Sequence, residues 1–159
     1  MGYHRFMNIE HVIRENIGRT VHLSLGTVSD NMPWVVEVHF AYDDKLNLYF
    51  RSLRSRRHSQ DIEHNPHVAG DIIDKFAVGE PVTGVYFEGT AQMLEKGDEQ
   101  RKAFELLRDR IKIGEAEFED AQHEDGRQFY KITVANWYAF ARINDQPEQK
   151  YTLEWNRSE

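Results

Sequence analysis

Cysteine is absent from this chain of 159 residues. Its absence excludes disulfides, thiolate catalysis and cysteine-ligated zinc. A chain without cysteine suits a reducing compartment, and a cytoplasmic location is the expectation. Long apolar runs are lacking too: the longest, Trp137 to Ala141, is far too short to cross a bilayer. The N-terminal MGYHRFMNIEH has no apolar signal core. Basic surplus is lacking as well. The formal net charge of −7 argues against a general binder of nucleic acid or anionic membrane.

Sequence motifs for familiar chemistry are also missing. There is no G-x-G-x-x-G, and Gly84-x4-Gly89 runs on into Thr90-Ala91 instead of the Lys-Ser of a phosphate loop. No G-x-S-x-G elbow presents a nucleophile. His58, His64 and His67 lie close in sequence, but Asn65-Pro66 interrupts any helical pairing of the last two. No carboxylate stands at a known ligand spacing, so no metal site is assigned. Repeats, linkers and low-complexity tracts are absent, and the expectation is one domain over residues 1–159.

What is present centres on residues 33–66. Val36, Val38, Phe40 and Tyr42 alternate at period two, as do Leu46, Leu48 and Phe50, the spacing of one strand face. Asp43-Asp44-Lys45 between them predicts a hairpin turn, since Asp bonds its own backbone and tolerates turn dihedrals. The second strand then runs into Arg51, Arg54, Arg56 and Arg57, four guanidiniums within the eight residues 51–58. Helix formers follow to His64, and Asn65-Pro66 stops them. A strand end and a helix N-terminus dense in arginine make an anion site, because guanidinium forks match phosphate oxygens and free helix N–H groups add to them.

The flanks predict a mainly β protein with a few helices. Asn8 caps a helix with Ile9, Val12, Ile13 and Ile17 on one stripe. Strands are predicted over 20–28, 68–73 and 83–94, a loop over 75–82, and a helix after an Asp98 cap. The six acidic and no basic side chains of 113–126 predict a solvated helix or loop. Residues 128–142 read as two strands meeting near Asn136, and Tyr151, Leu153 and Trp155 as a final strand. Short connections favour an antiparallel sheet, and a closed or split barrel hides its edges economically.

This order of features resembles the pyridoxamine 5'-phosphate oxidase-like, FMN-binding split-barrel family, most specifically in LYFRS…RRHSQDIEHNP. The resemblance runs from about Val21 to Leu94. It implies a six-stranded antiparallel Greek-key split β-barrel, working as a homodimer with flavin at the subunit interface. It assigns Ser52 the hydroxyl position at the strand end, with Arg51 beside it. The basic pair that holds the flavin phosphate becomes Arg57-His58, with Arg56 next to it, and the strand backbone that meets the ring becomes Val36, Glu37 and Val38. Glu37 and His39 stand where pyridoxamine phosphate oxidases carry an arginine and a lysine. Gly84 replaces a flavin-contacting glutamine, and LEWNRSE lacks their closing Arg-Leu-x-Pro. These departures point to a substrate other than pyridoxamine phosphate.

The expectation is therefore an FMN-dependent oxidoreductase acting on a small organic molecule, with a nicotinamide electron donor or oxygen. A deazaflavin is the alternative ring. The competing reading is a flavin-, deazaflavin- or haem-binding module that stores or senses its ligand without turnover. No catalytic side chain is assigned, because the cofactor would carry the chemistry.

Overall fold

The structure is a computed structural model that describes residues 8–155. The C-terminal departure noted above falls partly on residues 156–159, outside the described residues.

Helix α1 (Ile9–Gly18) starts at Asn8, whose side chain accepts from the His11 N–H, and buries Val12, Ile13 and Ile17. Strand β1 (His22–Ser29) turns through Asp30 and Asn31, at φ 51° and 59°, into β2 (Met32–His39). Two successive positive φ values give the turn that matches strand twist. All eight residues of β2 pair with β1, from Ser29–Met32 to His22–His39.

This pairing changes the expected hairpin. Val36 and Val38 belong to β2, whereas Ala41 and Tyr42 form a separate two-residue strand, β3, paired with β4 (Leu48–Leu53). Phe40, fully buried, makes the break between them, and its N–H donates to Val21 O. The predicted turn chemistry is present at Asp43, whose carboxylate accepts from the N–H groups of Lys45 and Asn47. Leu46 lies in the turn at φ 59°, not in the strand, and is fully buried.

Helix α2 (Arg57–His64) ends at Asn65-Pro66 and leads to β5 (His67–Ile73). Strand β6 (Gly84–Met93) follows the irregular 74–83 segment. Helix α3 (Asp98–Ile111) begins one residue earlier than expected: Asp98 is its first residue and Gly97, at φ 144°, is its N-cap, a conformation that favours glycine. A short helix α4 (Glu115–Asp120) occupies the acidic stretch.

Residues 127–141 form one long strand, β7 (Arg127–Ala141), where two were expected. The irregularity near Asn136 is a bulge. Glu88 pairs with Asn136 and Gly89 with Val134, so Ala135 is the extra residue. Its carbonyl accepts from the Trp155 N–H, next to β8 (Gln149–Glu154). Gly89 lies against this bulge so closely that a Cβ would sit 2.1 Å from Thr133 O. Gly89→Ala is expected to lower stability by about 1–2 kcal/mol, read as a lower urea midpoint at unchanged slope.

The sheet runs β2-β1-β5-β6-β7-β4-β3, entirely antiparallel, with β8 added on β7. The expected six-strand count thus becomes eight. The curled sheet encloses the main core, with Leu23, Leu25, Phe50, Phe87, Ile132 and Trp137 within it. A second core forms outside β3, β4 and β7, where α3 buries Ala103, Phe104 and Leu107 against Tyr49 and Phe129. The sheet does not close, since β2 and β3 end the pairing path. This leaves a seam between the β2 edge and β4.

Candidate cofactor cleft

The seam opens a cleft of about 610 Å³. Val36, Glu37, Val38, Arg51, Ser52, Arg56, Arg57 and His58 all line it. Residues far apart in the sheet order thus come together through curling. β2 contributes an edge strand, and alternate backbone N–H and C=O groups along such an edge have no ladder partner. Val36 and Val38 pack toward the main core. Glu37 points to the other face, where Ser24 Oγ donates to its carboxylate at 3.1 Å.

The arginines separate into different jobs. Arg54 turns away from the others, onto Glu63 at 3.0 Å. Arg51 is largely buried. Its Nη2 donates to Glu117 O at 3.1 Å and approaches Asp120 Oδ2 at 3.3 Å, and its guanidinium lies 5.4 Å from the Phe129 ring centre. Its Nε is buried with no hydrogen-bond partner among the described residues. Arg57 lies over the Trp34 ring at 4.5 Å, and its Nε is 4.0 Å from Asp61. Exposed Arg56 is the N-cap of α2, and no side chain caps that helix. The first N–H groups of α2 therefore stay open beside two exposed guanidiniums.

His58 points inward. It is buried, and its Nε2 is 2.7 Å from Ser52 Oγ. Burial, with the neighbouring Arg56 charge, holds its pKa below the usual histidine value, against the opposing pull of Asp61. A neutral His58 fits a buried hydrogen bond to a hydroxyl. Asp61 fixes the helix to the sheet from the same side, accepting from Thr27 Oγ1 at 2.7 Å. Because the folded His58 pKa is depressed, its contribution is present above the unfolded value near 6.5 and is lost as pH falls through the folded value. Melting temperature should therefore fall as pH drops below about 6.5, and His58→Gln should flatten part of that fall. Identical pH profiles in both proteins would exclude His58 as the titrating group.

Sequence reasoning missed the far wall. Leu107, Ile111 and Ile113 reach the cleft from the end of α3, together with Trp34 and Arg127. The helical stripe of α3 contained a signal, but periodicity does not say that its last turn overhangs a seam. Among the described residues, no three His, Asp or Glu side chains are placed to hold a metal ion, and no helix is long and apolar enough to cross a membrane.

A curled antiparallel sheet left open along one seam defines the split-barrel class. The chain belongs to the Pyridoxamine 5'-phosphate oxidase family, whose profile matches residues 9–141. A UPF0306 protein of Haemophilus ducreyi is 29% identical over 91 residues, covering 57% of this chain and 60% of that relative, so the match spans less than two thirds of its length. Among solved structures, a heme binding protein from Mycobacterium smegmatis superposes with a TM-score of 0.70 at 17% identity, over 89% of this chain and 55% of that one. HutZ, the heme storage protein from Vibrio cholerae, superposes with a TM-score of 0.67 at 19% identity, over 94% and 96%. At such identities the likeness is one of fold.

Proposed function

We propose that the cleft binds FMN and that the protein is an FMN-dependent oxidoreductase acting on a small organic molecule. The observation that carries this reading is the meeting of an open strand edge, an uncapped helix start and two exposed arginines in one cleft of about 610 Å³. That volume falls within the usual range for cofactor sites. A ring needs strand backbone and apolar walls, and a phosphate needs guanidinium and N–H donors.

In this reading Arg56 and Arg57 hold the phosphate, assisted by the first N–H groups of α2. Trp34, stacked on Arg57, keeps that guanidinium in place. The neutral His58 fixes the Ser52 hydroxyl and is not itself a cationic phosphate ligand. The β2 backbone at Val36, Glu37 and Val38 lies along the ring. The bound flavin supplies hydride transfer; the chain's own residues bind, orient and exclude water. A deazaflavin would use the same ring groove.

A homodimer completes the picture. The outer face of the sheet exposes Met32, Val35, Tyr86 and Phe140, at 61%, 65%, 38% and 40%. An adjoining groove of about 640 Å³ is lined by Val28, Pro33, Ala69 and Ala135, among others. A second copy on this face would cover exposed apolar surface and close the cleft from outside. The test is oxidation of a reduced nicotinamide by the FMN-loaded protein with a small-molecule acceptor. Retained FMN without turnover would leave a binding module instead.

The second reading is a haem-binding protein, favoured by the fold shared with the two haem proteins above. The chain's candidate iron ligand is His39 at the cleft wall, an exposed ring 4.5 Å from that of His22. Hemin titration separates the readings: a sharp Soret shift lost in His39→Ala would favour haem, and unperturbed hemin would favour flavin.

A further inference from the structure

The cleft has two cationic walls. Arg56 and Arg57 stand at the start of α2, and Arg51 and Arg127 stand on the β4–β7 side. In the ladder Arg51 faces Phe129 and Leu53 faces Arg127, so Arg51 and Arg127 lie diagonally across one face of the sheet, with Cβ atoms about 7–8 Å apart. The Arg127 side chain is exposed and has no hydrogen bond or ion pair among the described residues. Arg51 has its Nη2 on Glu117 O and Asp120, yet its buried Nε–H has no acceptor. A buried donor of a charged group without an acceptor is unusual and points to a missing partner. Beside these arginines lies an apolar ledge of Leu107, Ile111 and Ile113 from α3 and the turn after it.

We infer that this second wall is the substrate subsite and that it takes a carboxylate on an apolar, ring-sized body; the inference rests on the FMN reading above. One phosphate is already served by the first wall, so a second pair of guanidiniums implies a second anionic group. The local charge balance favours a monoanion. Asp120 engages Arg51 and accepts from the Arg127 backbone N–H, while Glu117, its carboxylate turned to the Gly114 N–H, adds a further negative charge nearby. What remains for a ligand is the Arg127 charge together with the Nε–H and Nη1 hydrogens of Arg51, whose own charge is already met by Asp120. Together they match the two oxygens of a carboxylate better than a dianionic phosphate. The ledge would bury the apolar body of the acid.

The test is equilibrium dialysis of benzoate, against its neutral isostere benzamide, with the full chain before and after FMN loading. Benzoate is expected to bind at least tenfold more tightly than benzamide. Arg127→Ala should weaken benzoate at least tenfold and leave FMN affinity within about twofold, and Arg127→Lys should recover part of the loss. Arg56→Ala/Arg57→Ala should do the reverse, losing FMN and keeping benzoate on the unloaded protein. Equal binding of benzoate and benzamide, or benzoate binding unchanged in Arg127→Ala, would overturn the inference. Loss of FMN in Arg127→Ala with benzoate unaffected would place the phosphate on this wall and also overturn it. Failure of wild-type protein to retain FMN, with benzoate still bound through Arg127, would count against the flavin reading alone.

Discussion

Replacing Asp43 with alanine is expected to lower folding stability by about 2–4 kcal/mol, because it strips the acceptor from buried polar groups of the turn, while the half-exposed Lys102 returns to solvent. A loss of that size should lower the melting temperature by roughly 10 °C in a domain of this size. Asp43 is 7% exposed and has five donors. Its carboxylate accepts from the Lys45 and Asn47 backbone N–H groups, from Asn47 Nδ2 at 3.0 Å, from Tyr49 Oη at 2.9 Å and from Lys102 Nζ at 2.8 Å. It thereby ties the β3–β4 turn to α3, the helix whose end overhangs the cleft. Alanine would leave the Tyr49 hydroxyl and the Asn47 amide without an acceptor.

The same group gives a pH signature. Burial alone would raise the Asp43 pKa, but the hydrogen bonds from Lys102, Asn47 and Tyr49 outweigh it and lower the value from 3.8 to about 2. A depressed carboxylate contributes stability that is complete above its unfolded pKa and disappears as pH falls through its folded pKa. The loss therefore falls between about pH 4 and pH 2 and amounts to about 2 kcal/mol. Urea midpoints measured across that window should converge for wild type and Asp43→Asn, which has no charge to titrate there. Parallel curves would show that Asp43 does not drive the acid loss.

Removing both guanidiniums of the first wall, Arg56→Ala with Arg57→Ala, is expected to weaken FMN binding by about 3–4 kcal/mol, a factor of several hundred. Arg57→Ala alone should account for about 1.5–3 kcal/mol. Both side chains are exposed, so fold stability should be nearly unchanged. Their contacts within the protein lie at the surface: Arg57 stacks on exposed Trp34 and is 4.0 Å from Asp61, and Arg56 has no side-chain ion pair or hydrogen bond among the described residues. Flavin fluorescence quenching measures the affinities. Equal affinity in wild type and the double variant would remove the α2 start from the phosphate site.

Much of this architecture was legible in the sequence because it is local. Asn8, Asp43 and Asn65-Pro66 each control a cap, a turn or a stop through their own backbone neighbourhood, and each acts so in the fold. The arginine cluster was legible as composition. Which arginine faces the cleft was not, because that depends on tertiary placement. Glu63 draws Arg54 away, Asp120 and Glu117 O hold Arg51, and burial turns His58 toward Ser52. The break at Phe40 was hidden by an uninterrupted alternation, because Val36 to Tyr42 keeps period two while its hydrogen-bonding partner changes from β1 to β4. The bulge at Ala135 looks like a strand junction in the sequence for a related reason, since an extra residue disturbs the alternation as a turn does. The Arg127 wall carries no local signature. It exists only where β7 runs beside β4.

The most direct test of the proposed FMN site is the visible spectrum of the purified protein, taken before and after incubation with FMN and desalting. FMN binding in the cleft predicts retained flavin bands near one FMN per chain, with the double arginine variant emerging colourless. A wild-type protein that emerges equally colourless after FMN would contradict it.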